Sequence, residues 1–439
     1  MGEVRVPANR LWGAQTQRSL ENFKIGEEKM PGEIIKAFAV LKKASALANA
    51  RLGLIPQKDA ESIASVCDEI SRGGYADEFP LSVWQTGSGT HTNMNLNEVV
   101  AHLTGLHPND DINKGQSSND TFPSAMHIAF VCITEESLLP ALTGLRDVFE
   151  RLSEEYADII KVGRTHLMDA TPLTLGQEVS AWREMLDVNM SMIGNAIEPV
   201  RRLALGGTAV GTGLNAHPEF GAVSAALISE YTGHEFRTAP NKFHALTSMD
   251  AAAGLHGTLK TLAADLIKIA NDIRLLASGP RCGIGELLIP ANEPGSSIMP
   301  GKTNPTQCEA LTMVCARVLG NDVTVGFGAS QGSFQLNVYL PVIAYSVIQS
   351  IRLLADAVRS FTAGCAAGIR PNKEMIARYL EQTLMLVTAL SPRLGYDKSA
   401  EIAKYAYENG VSLREAVVGQ GILNAEEFDK LMDVEKMVR

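Results

Sequence analysis

The chain has 439 residues, a formal net charge of −10 and 45% apolar residues. This length allows more than one domain and a large core, and the apolar share is ordinary for a globular protein. The negative charge argues against nucleic acid and anionic membranes as partners. No uninterrupted apolar run is long enough to cross a bilayer, and the first residues lack the layout of a secretory signal. We therefore expect a cytoplasmic protein with neither nucleic acid nor membrane as a partner.

Six cysteines are scattered along the sequence without the paired spacing of a metal site: Cys67, Cys132, Cys282, Cys308, Cys315 and Cys365. Cysteines placed in this way are typical of reduced, buried thiols in a cytosolic protein. No run of cysteine and histidine signals zinc or an iron–sulfur cluster. The sequence therefore predicts no metal site.

Apolar residues recur at three- and four-residue steps along most of the chain, a spacing that predicts helices. Residues 1–31 are broken by prolines and glycines and are predicted to be irregular. The predicted helices cover about 32–48, 59–72, 97–103, 124–156 with a break at Pro140, 175–205, 248–277, 304–321, 336–362, 373–387, 398–409 and 412–419.

Several of these helices have roughly 25–30 residues, which exceeds the ordinary globular mean and indicates a long bundle. Strict alternation of apolar and polar residues is scarce, so no sheet core is predicted. We predict an all-α fold in which a long central helical bundle is flanked by small, mainly helical N- and C-terminal domains. The predicted boundaries are 1–115, 116–372 and 373–439.

The stretch from Gly295 to Glu309 is the most informative part of the sequence, because a glycine-punctuated loop with two hydroxyls leads into a helix. Ser296 and Ser297 supply the hydroxyls, Lys302 supplies a cation, and Asn304 is a favoured N-cap. Such donors beside a helix N-terminus suit a carboxylate. On composition alone, an ordinary surface loop before a capped helix explains the stretch as well.

The order of these residues, Gly-Ser-Ser-x-Met-Pro-x-Lys-x-Asn followed by Glu309, resembles the signature of the fumarase/aspartase superfamily. Further stretches are similar to class II fumarate hydratases and, together with the signature, extend over nearly the whole chain. They are Trp12–Ser19, Trp84–Thr90, Ser117–Asp120, Gly163–His166 and Leu384–Ala389.

The resemblance implies reversible addition of water to fumarate, giving L-malate through an aci-carboxylate intermediate, with no metal or organic cofactor. It implies that Ser296 takes the carbon proton and that His166 and Glu309 act on the water. Lys302 would stabilise the charge that develops on the substrate.

Neutral donors complete the implied site and would bind the dicarboxylate: Ser88, Gly89, Thr90, Ser117, Ser118, Asn119, Thr165, Ser297 and Asn304. A lone serine or threonine is more often a turn former than a ligand, so this prediction depends on the family-like stretches around them. A second, weak anion site is implied at His107, Asn109 and Asp110. The neighbouring aspartates would repel a dicarboxylate, and we expect this stretch to be mainly a structural cap.

Two alternatives to a hydratase stay open. Aspartate ammonia-lyases share most of these motifs, but they typically carry glutamine where this chain has His166. A catalytically inactive structural relative is the other alternative, and retention of Ser296, His166, Lys302 and Glu309 argues against it.

The resemblance also implies a homotetramer in which each site is built from several subunits. The chain departs from the family pattern at His91, Gln335 and Leu340, and between Glu98 and His107 it is shorter than many relatives.

Overall fold

The computed structural model describes residues 2–438, most of which are helical. The chain forms two compact units, each assembled from three separate stretches. Unit 1 comprises Met1–Ala141, Asn189–Ala264 and Met313–Asp356, and unit 2 comprises Leu142–Val188, Asp265–Thr312 and Ala357–Arg439. The predicted domains, with boundaries at residues 115 and 372, are continuous segments of the chain, unlike these units. Those boundaries stay a prediction.

The described residues contain α-helices that confirm the all-α prediction. They are α1 (Ala14–Asn22), α2 (Gly32–Arg51), α3 (Gln57–Ser71), α4 (Thr90–Thr104), α5 (Ser118–Ile133), α6 (Leu139–Glu155), α7 (Leu175–Val200), α8 (Phe220–Thr232), α9 (Lys242–Thr247), α10 (Asp250–Leu276), α11 (Thr306–Ala329), α12 (Leu340–Gly364), α13 (Lys373–Gln382), α14 (Ser391–Leu394), α15 (Tyr396–Asn409), α16 (Leu413–Gly419) and α17 (Ala425–Leu431).

Three small two-stranded sheets accompany the helices in the described chain. The strands are β1 (Ile160–Thr165), β2 (Met168–Thr174), β3 (Arg202–Leu203), β4 (Arg237–Thr238), β5 (Leu287–Leu288) and β6 (Arg370–Pro371). The pairs β1–β2 and β5–β6 are antiparallel, and β3–β4 is parallel. None of these sheets forms a core, in agreement with the sequence.

Each unit has its own buried aromatic contacts. In unit 1, α2 packs against α3, α5 and α8, and Phe38 meets Phe122 edge to face with ring centres 5.7 Å apart. In unit 2, Phe149 meets Trp182 in the same way at 5.6 Å. Trp182 also donates its indole N–H to Asp272 at 3.1 Å, which satisfies the polar end of a buried ring.

The prediction that residues 1–31 are irregular is wrong for α1. Its first turn is capped from a distance, because the Glu98 carboxylate accepts from the backbone N–H groups of Gly13, Gln15 and Thr16 at 2.8–3.1 Å. A cap from 82 to 85 residues away leaves no local signal in the sequence. The predicted break at Pro140 also lies elsewhere: a π-helical turn over Thr134–Leu138 separates α5 from α6.

The C-terminal part of unit 2 has a separate apolar cluster that includes Leu390, Ile402, Ala416, Val417 and Phe428. These side chains come from α15, α16, α17 and the short turn before α14. The cluster supports the prediction of a small helical C-terminal part, although the boundary at residue 373 stays untested.

Two helical stretches of the described chain, Ser118–Glu155 and Leu340–Gly368, have the length and mean hydropathy, 1.4 and 1.3, that a membrane crossing requires. Half of the first apolar window and 61% of the second are buried inside the chain's own fold. Both stretches reach this hydropathy as an average over a window, although neither is an uninterrupted apolar run. A buried core helix of a globular protein has the same property.

Candidate active site

The predicted site residues fall into two groups, one in each unit. Unit 2 holds Thr165, His166, Ser296, Ser297, Lys302, Asn304 and Glu309. Unit 1 holds Ser88, Gly89, Thr90, Ser117, Ser118 and Asn119, together with His107, Asn109 and Asp110 of the second anion stretch.

Thr165 and His166 lie at the tip of the β1–β2 hairpin. The register ends with Thr165 opposite Met168, so His166 and Leu167 form a two-residue turn. Both turn residues have left-handed backbone, with φ of 57° and 61°, as a tight hairpin turn between twisted strands requires. Neither residue is glycine, and such strained positions cluster at functional sites. The turn leaves the side chains of Thr165 and His166 exposed in the single chain.

A buried network of ion pairs anchors the base of this hairpin. Arg164 donates from its two Nη atoms to the two carboxylate oxygens of Glu286 at 3.0 and 2.9 Å. Lys161 Nζ lies 3.0 Å from Glu286 Oε2 and donates to both oxygens of Glu178 at 2.9 Å. Burial alone would lower the pKa of Arg164, but the hydrogen bonds and charge of Glu286 outweigh it and raise that pKa. Since Lys161 and Glu286 are 1% and 0% exposed, these charges depend on one another.

The loop from Gly295 to Asn304 closes on itself. Gly295 N donates to the Lys302 carbonyl at 2.7 Å, and Asn304 Nδ2 donates to the Gly295 carbonyl at 2.8 Å. A Cβ at position 295 would lie 2.8 Å from the Lys302 oxygen and 2.9 Å from Asn304 Cγ, so the closure requires glycine. The Lys302 ammonium donates to Asn304 Oδ1. The closed loop therefore holds the cation and the amide side by side.

Inside this loop, the hydroxyl oxygen of Ser296 accepts two backbone hydrogen bonds. Ile298 N donates at 3.2 Å and Met299 N donates at 3.0 Å. Two N–H groups directed at one oxygen stabilise negative charge on that oxygen. Ser296 is partly buried, whereas Ser297 and Lys302 are exposed.

Helix α11 follows this loop and begins at Thr306. The prediction that Asn304 is its N-cap is wrong, because that side chain closes the loop instead. The Pro305 carbonyl accepts from Glu309 N at 3.2 Å and so opens the helix. Glu309 lies in the first turn and is exposed, as is His166. The pairing of Glu309 with His166 stays a prediction.

In unit 1, the predicted donors lie at the starts of two helices. Gly89, with φ of 73°, precedes α4, and the hydroxyl groups of Ser88 and Thr90 hydrogen-bond at 2.8 Å. Ser117 caps α5 and forms a capping box with Asp120. Both helix starts present backbone N–H groups, which favour anions.

Asn93 joins these two helix starts, and the sequence analysis missed it. Its Nδ2 donates to Ser118 Oγ at 3.0 Å, and its Oδ1 accepts from Thr121 Oγ1 at 3.3 Å. Asn119 is tied separately, because its Nδ2 donates to the Ala209 carbonyl at 2.9 Å. The signal available in the sequence was an amide side chain about one helical turn after Thr90. Asn93 therefore links the start of α4 to the start of α5, whereas the Ser88–Thr90 pair and Asn119 form separate hydrogen bonds.

Two buried charged residues support the start of α5. Asp120 accepts from Gly206 N and Thr208 N at 3.0 and 2.8 Å. Burial raises the pKa of Asp120 to about 6, although its backbone hydrogen bonds and Lys42 act in the opposite direction. Burial lowers the pKa of Lys42, which donates to Asn113 at 2.8 Å, to about 7. Perturbed pKa values of this kind cluster at functional sites, and neither Asp120 nor Lys42 was among the predicted site residues.

The stretch at His107 forms a self-capped turn. His107 Nδ1 accepts from Asp110 N at 3.0 Å, and the Asp111 carboxylate accepts from His107 N at 2.8 Å. These bonds occupy backbone donors that an anion would need. Asn109 and Asp110 line a cavity of about 640 Å³ together with Lys114, a cation that follows the stretch and that the sequence analysis did not consider.

The three departures from the family pattern occupy different surroundings. His91 is partly buried, hydrogen-bonds Ser19 Oγ at 2.9 Å, and burial lowers its pKa. Leu340 is fully buried at the start of α12, whereas Gln335 is exposed. His91 thus helps to hold α1, and nothing in the structure explains Gln335.

Comparison with protein families gives two matches that cover most of the chain. A family described as Lyase matches residues 2–320. A second family, described as Fumarase C C-terminus, matches residues 386–439.

Individual relatives agree along the full length. The chain is 58% identical to a fumarate hydratase class II of Bacillus subtilis and 56% identical to one of Helicobacter pylori; each comparison covers 100% of this chain and 97% of the relative. Among solved structures, the class II fumarase of Schistosoma mansoni superposes with a TM-score of 0.98 at 40% identity, covering 99% of this chain and 97% of that one.

Proposed function

The chain belongs to the class II fumarate hydratases of the lyase family, and from that premise we propose that Ser296, His166, Glu309 and Lys302 carry its catalysis in a site completed by other copies of the chain. The reaction is the reversible addition of water to fumarate, a small dicarboxylate, giving L-malate. We therefore propose neither of the two alternatives, an aspartate ammonia-lyase or a catalytically inactive structural relative.

The observation that carries the proposal is the pair of backbone N–H groups on Ser296 Oγ. Serine is a poor base unless its alkoxide is stabilised, and Ile298 N and Met299 N are placed to stabilise it. In the dehydration of malate, the alkoxide takes the proton from C3, the C–H bond breaks, and its electrons move into the adjacent carboxylate. In hydration, the Ser296 hydroxyl returns a proton to C3.

Lys302 and Asn304 are proposed to stabilise the aci-carboxylate. That intermediate carries more negative charge than the substrate carboxylate, so donors fixed in advance lower the barrier. The closed loop holds the two side chains together, and the Lys302 ammonium already donates to the Asn304 amide oxygen.

His166 and Glu309 are proposed to act on the oxygen at C2. In hydration, a base removes a proton from water as the C–O bond forms, and in the reverse direction the same group protonates the leaving hydroxide. A carboxylate on one imidazole nitrogen would fix the tautomer and raise the basicity of the other.

The donors of unit 1 are proposed to bind the substrate carboxylates. Thr90 and Ser118 lie at helix starts, where backbone N–H groups favour anions, and Asn93 ties the two starts together. Ser88, Gly89, Ser117, Asn119 and Thr165 are the remaining members of this donor set, and Ser297 contributes an exposed hydroxyl.

We propose that the active form is a homotetramer. His166, Lys302 and Glu309 are exposed in the single chain, whereas hydration chemistry on a dianion requires a concave site with few waters. The helix that carries Glu309 also exposes Leu319, Val323 and Phe327, at 36%, 73% and 59%. Their four-residue spacing puts them on one face of α11, and such apolar faces mark protein interfaces.

No organic or metal cofactor is proposed for catalysis, and the proposed location is the cytoplasm, without nucleic acid or membrane partners. All six cysteines are free thiols in the described chain, which fits a reducing compartment. The net charge of −10 fits the absence of polyanionic partners.

Subunit complementation tests this proposal. Ser296→Ala and His166→Asn chains are each expected to be inactive as separate homotetramers, and mixed tetramers are expected to recover activity because some sites receive both intact residues. The two chains carry different affinity tags, so that sequential purification isolates the mixed tetramers. The rate of fumarate hydration by these tetramers is then measured.

Homotetramers of each variant, dissociated and reassembled alone, are the controls. Mixed tetramers confirmed by mass spectrometry but as inactive as the controls would contradict a site shared between chains. Substantial activity of Ser296→Ala alone would remove Ser296 from the proposed role.

A further inference from the structure

The fold brings His234 next to two side chains, Cys132 and Glu136, that lie about a hundred residues earlier in the chain. The Cys132 thiol, the Glu136 carboxylate and a ring nitrogen of His234 place their ligand atoms within 4.8 Å of one another. Cys132 is the next-to-last residue of α5, Glu136 lies four residues later in the π-helical turn, and His234 follows the end of α8. Thiolate, carboxylate and imidazole are the three ligand types of zinc.

The histidine is held between two carboxylates in a way that leaves one contact without a proton. His234 Nδ1 lies 2.7 Å from Glu135 Oε2, and Nε2 lies 2.9 Å from Glu136 Oε1. A neutral imidazole has a single N–H, so only one carboxylate can receive it. The other nitrogen then presents a lone pair to an anionic oxygen, which a bound cation or a second ring proton would relieve.

The surroundings of His234 match the outer shell of a metal site. Metal-binding histidines usually donate their other N–H to a carboxylate, and Glu135 is placed to accept it. Glu135 is fixed in turn by Arg201 Nη2 at 2.5 Å, and Arg201 Nη1 donates to the Glu235 carbonyl at 3.1 Å. His234 N donates to Thr232 Oγ1 at 3.2 Å, which fixes the loop backbone.

Cys132 and Glu136 line a cavity of about 320 Å³ on unit 1, which gives an ion access to these two ligands. The carboxylates of Glu136 and Glu135 place negative charge close to the Cys132 thiol. The same negative surroundings favour a divalent cation, and a coordinated thiol gives up its proton to the solvent. The ligand atoms of tetrahedral zinc lie roughly 3.3–3.7 Å apart, so side-chain movements of about 1 Å would bring these three atoms to that spacing, with water as the fourth ligand.

We propose that Cys132, Glu136 and His234 bind one zinc or similar divalent transition-metal ion per chain, with Glu135 as the carboxylate partner of His234. The ion joins the turn between α5 and α6 to the loop after α8, so it is a structural link within unit 1. It lies outside the residues proposed for catalysis, and it does not depend on them.

Metal titration of the full-length enzyme tests the site. The protein is treated with chelator, desalted, and titrated with zinc chloride by calorimetry and with cobalt chloride by absorption. We expect one site per chain and a thiolate-to-cobalt charge-transfer band in the near ultraviolet. Bound zinc should raise the midpoint of thermal unfolding, since it binds the folded state.

Variants identify the ligands. Cys132→Ser should remove the charge-transfer band, and His234→Gln and Glu136→Gln should weaken zinc binding by more than about 100-fold; Glu135→Gln, an outer partner, should weaken it by about 10–100-fold. Cys282→Ser removes an exposed cysteine of unit 2 and is the matched control, expected to bind as the parent does.

Fumarate hydration, measured in chelator-treated protein, should be unchanged in Cys132→Ser and Glu136→Gln, which also shows that these variants fold. Zinc binding that is absent, or equally tight in parent and Cys132→Ser, would overturn the proposal. A cobalt complex without a thiolate band would do the same.

Discussion

Unit 2 holds its predicted catalytic groups in two contrasting ways. The β1–β2 hairpin stands on a network of buried charges, in which Glu286 is fully buried and paired with both Lys161 and Arg164. The 295–304 loop is mostly exposed and held by a few hydrogen bonds of its own backbone and by Asn304. One segment therefore depends on the core of its unit, and the other depends only on itself.

The hairpin and the loop should therefore differ in how substitutions affect folding stability and catalysis. A buried ion pair is costly to break because the remaining charge is left without a partner. An exposed loop can lose a side chain with little effect on folding, whereas its loss from the reaction centre affects the transition state directly. Substitutions in the two segments should consequently separate unfolding from turnover.

The largest effect is expected at the base of the hairpin. Glu286→Gln keeps the shape of the side chain but removes the carboxylate charge that the buried Lys161 and the partly buried Arg164 share. We expect the free energy of unfolding to fall by about 3–5 kcal/mol. Activity should fall with it, because His166 stands on the same hairpin. Urea unfolding, followed by circular dichroism, measures the change.

The matched control is Glu401→Gln, which removes an exposed partner of Lys398 in the same unit. An exposed pair contributes about 0–1 kcal/mol, so this variant should unfold like the parent. Equal unfolding curves for the two variants would show that the buried network does not anchor the hairpin.

The second effect is expected in the loop and concerns turnover rather than folding. Lys302→Met should cost about 3–4 kcal/mol of transition-state stabilisation, or roughly 10²–10³-fold in kcat/KM, if the cation has its proposed role of meeting the charge that develops during the reaction. That proposed role also includes binding of the substrate carboxylate, so both kcat and KM should be affected. The unfolding free energy should stay within about 0.5 kcal/mol of the parent, as at other exposed positions.

Lys373→Met removes a lysine from another exposed position of unit 2 and controls for net charge. It should leave fumarate hydration unchanged. A Lys302→Met enzyme with nearly normal turnover and affinity would remove Lys302 from the site.

The sequence predicts the long helices well and the support of the site poorly, for physical reasons. The apolar period that predicts α10 and α12 is local and repeated over many turns. Helix α1 was not predicted because its cap, Glu98, is far away in the chain. The ion pair of Arg164 could not be predicted for the same reason, because its partner Glu286 is 122 residues distant.

The site shows the same division between local and distant signals. Ser296 and Lys302 could be named because the order of residues in their loop resembles one family. The sequence suggests that loop amides could stabilise a Ser296 alkoxide, but it does not say which ones; Ile298 N and Met299 N reach Ser296 Oγ because of how the loop closes. Asn304 was predicted to cap the following helix because it directly precedes Pro305. In the structure its side chain instead hydrogen-bonds the Gly295 carbonyl and closes the loop.

The smallest effect is expected at His107, and it sharpens the contrast between buried and exposed segments. His107 is exposed, as Lys302 is, yet its ring nitrogen is engaged with Asp110 N and its own N–H with the Asp111 carboxylate. Exposure alone should not confer function. With aspartates nearby and only Lys114 as a cation lining the same cavity, dicarboxylate binding there should be weak.

His107→Ala is accordingly expected to hydrate fumarate within about threefold of the parent, under about 1 kcal/mol, whereas Ser296→Ala should lose orders of magnitude. Its only structural effect should be the loss of one cap, about 1 kcal/mol of unfolding free energy. The two variants and the parent are assayed side by side after their tetrameric state has been checked by light scattering. If His107→Ala stays folded and assembled but is as inactive as Ser296→Ala, the catalytic centre lies at the His107 turn, because removal of a merely structural cap cannot abolish turnover in an intact tetramer.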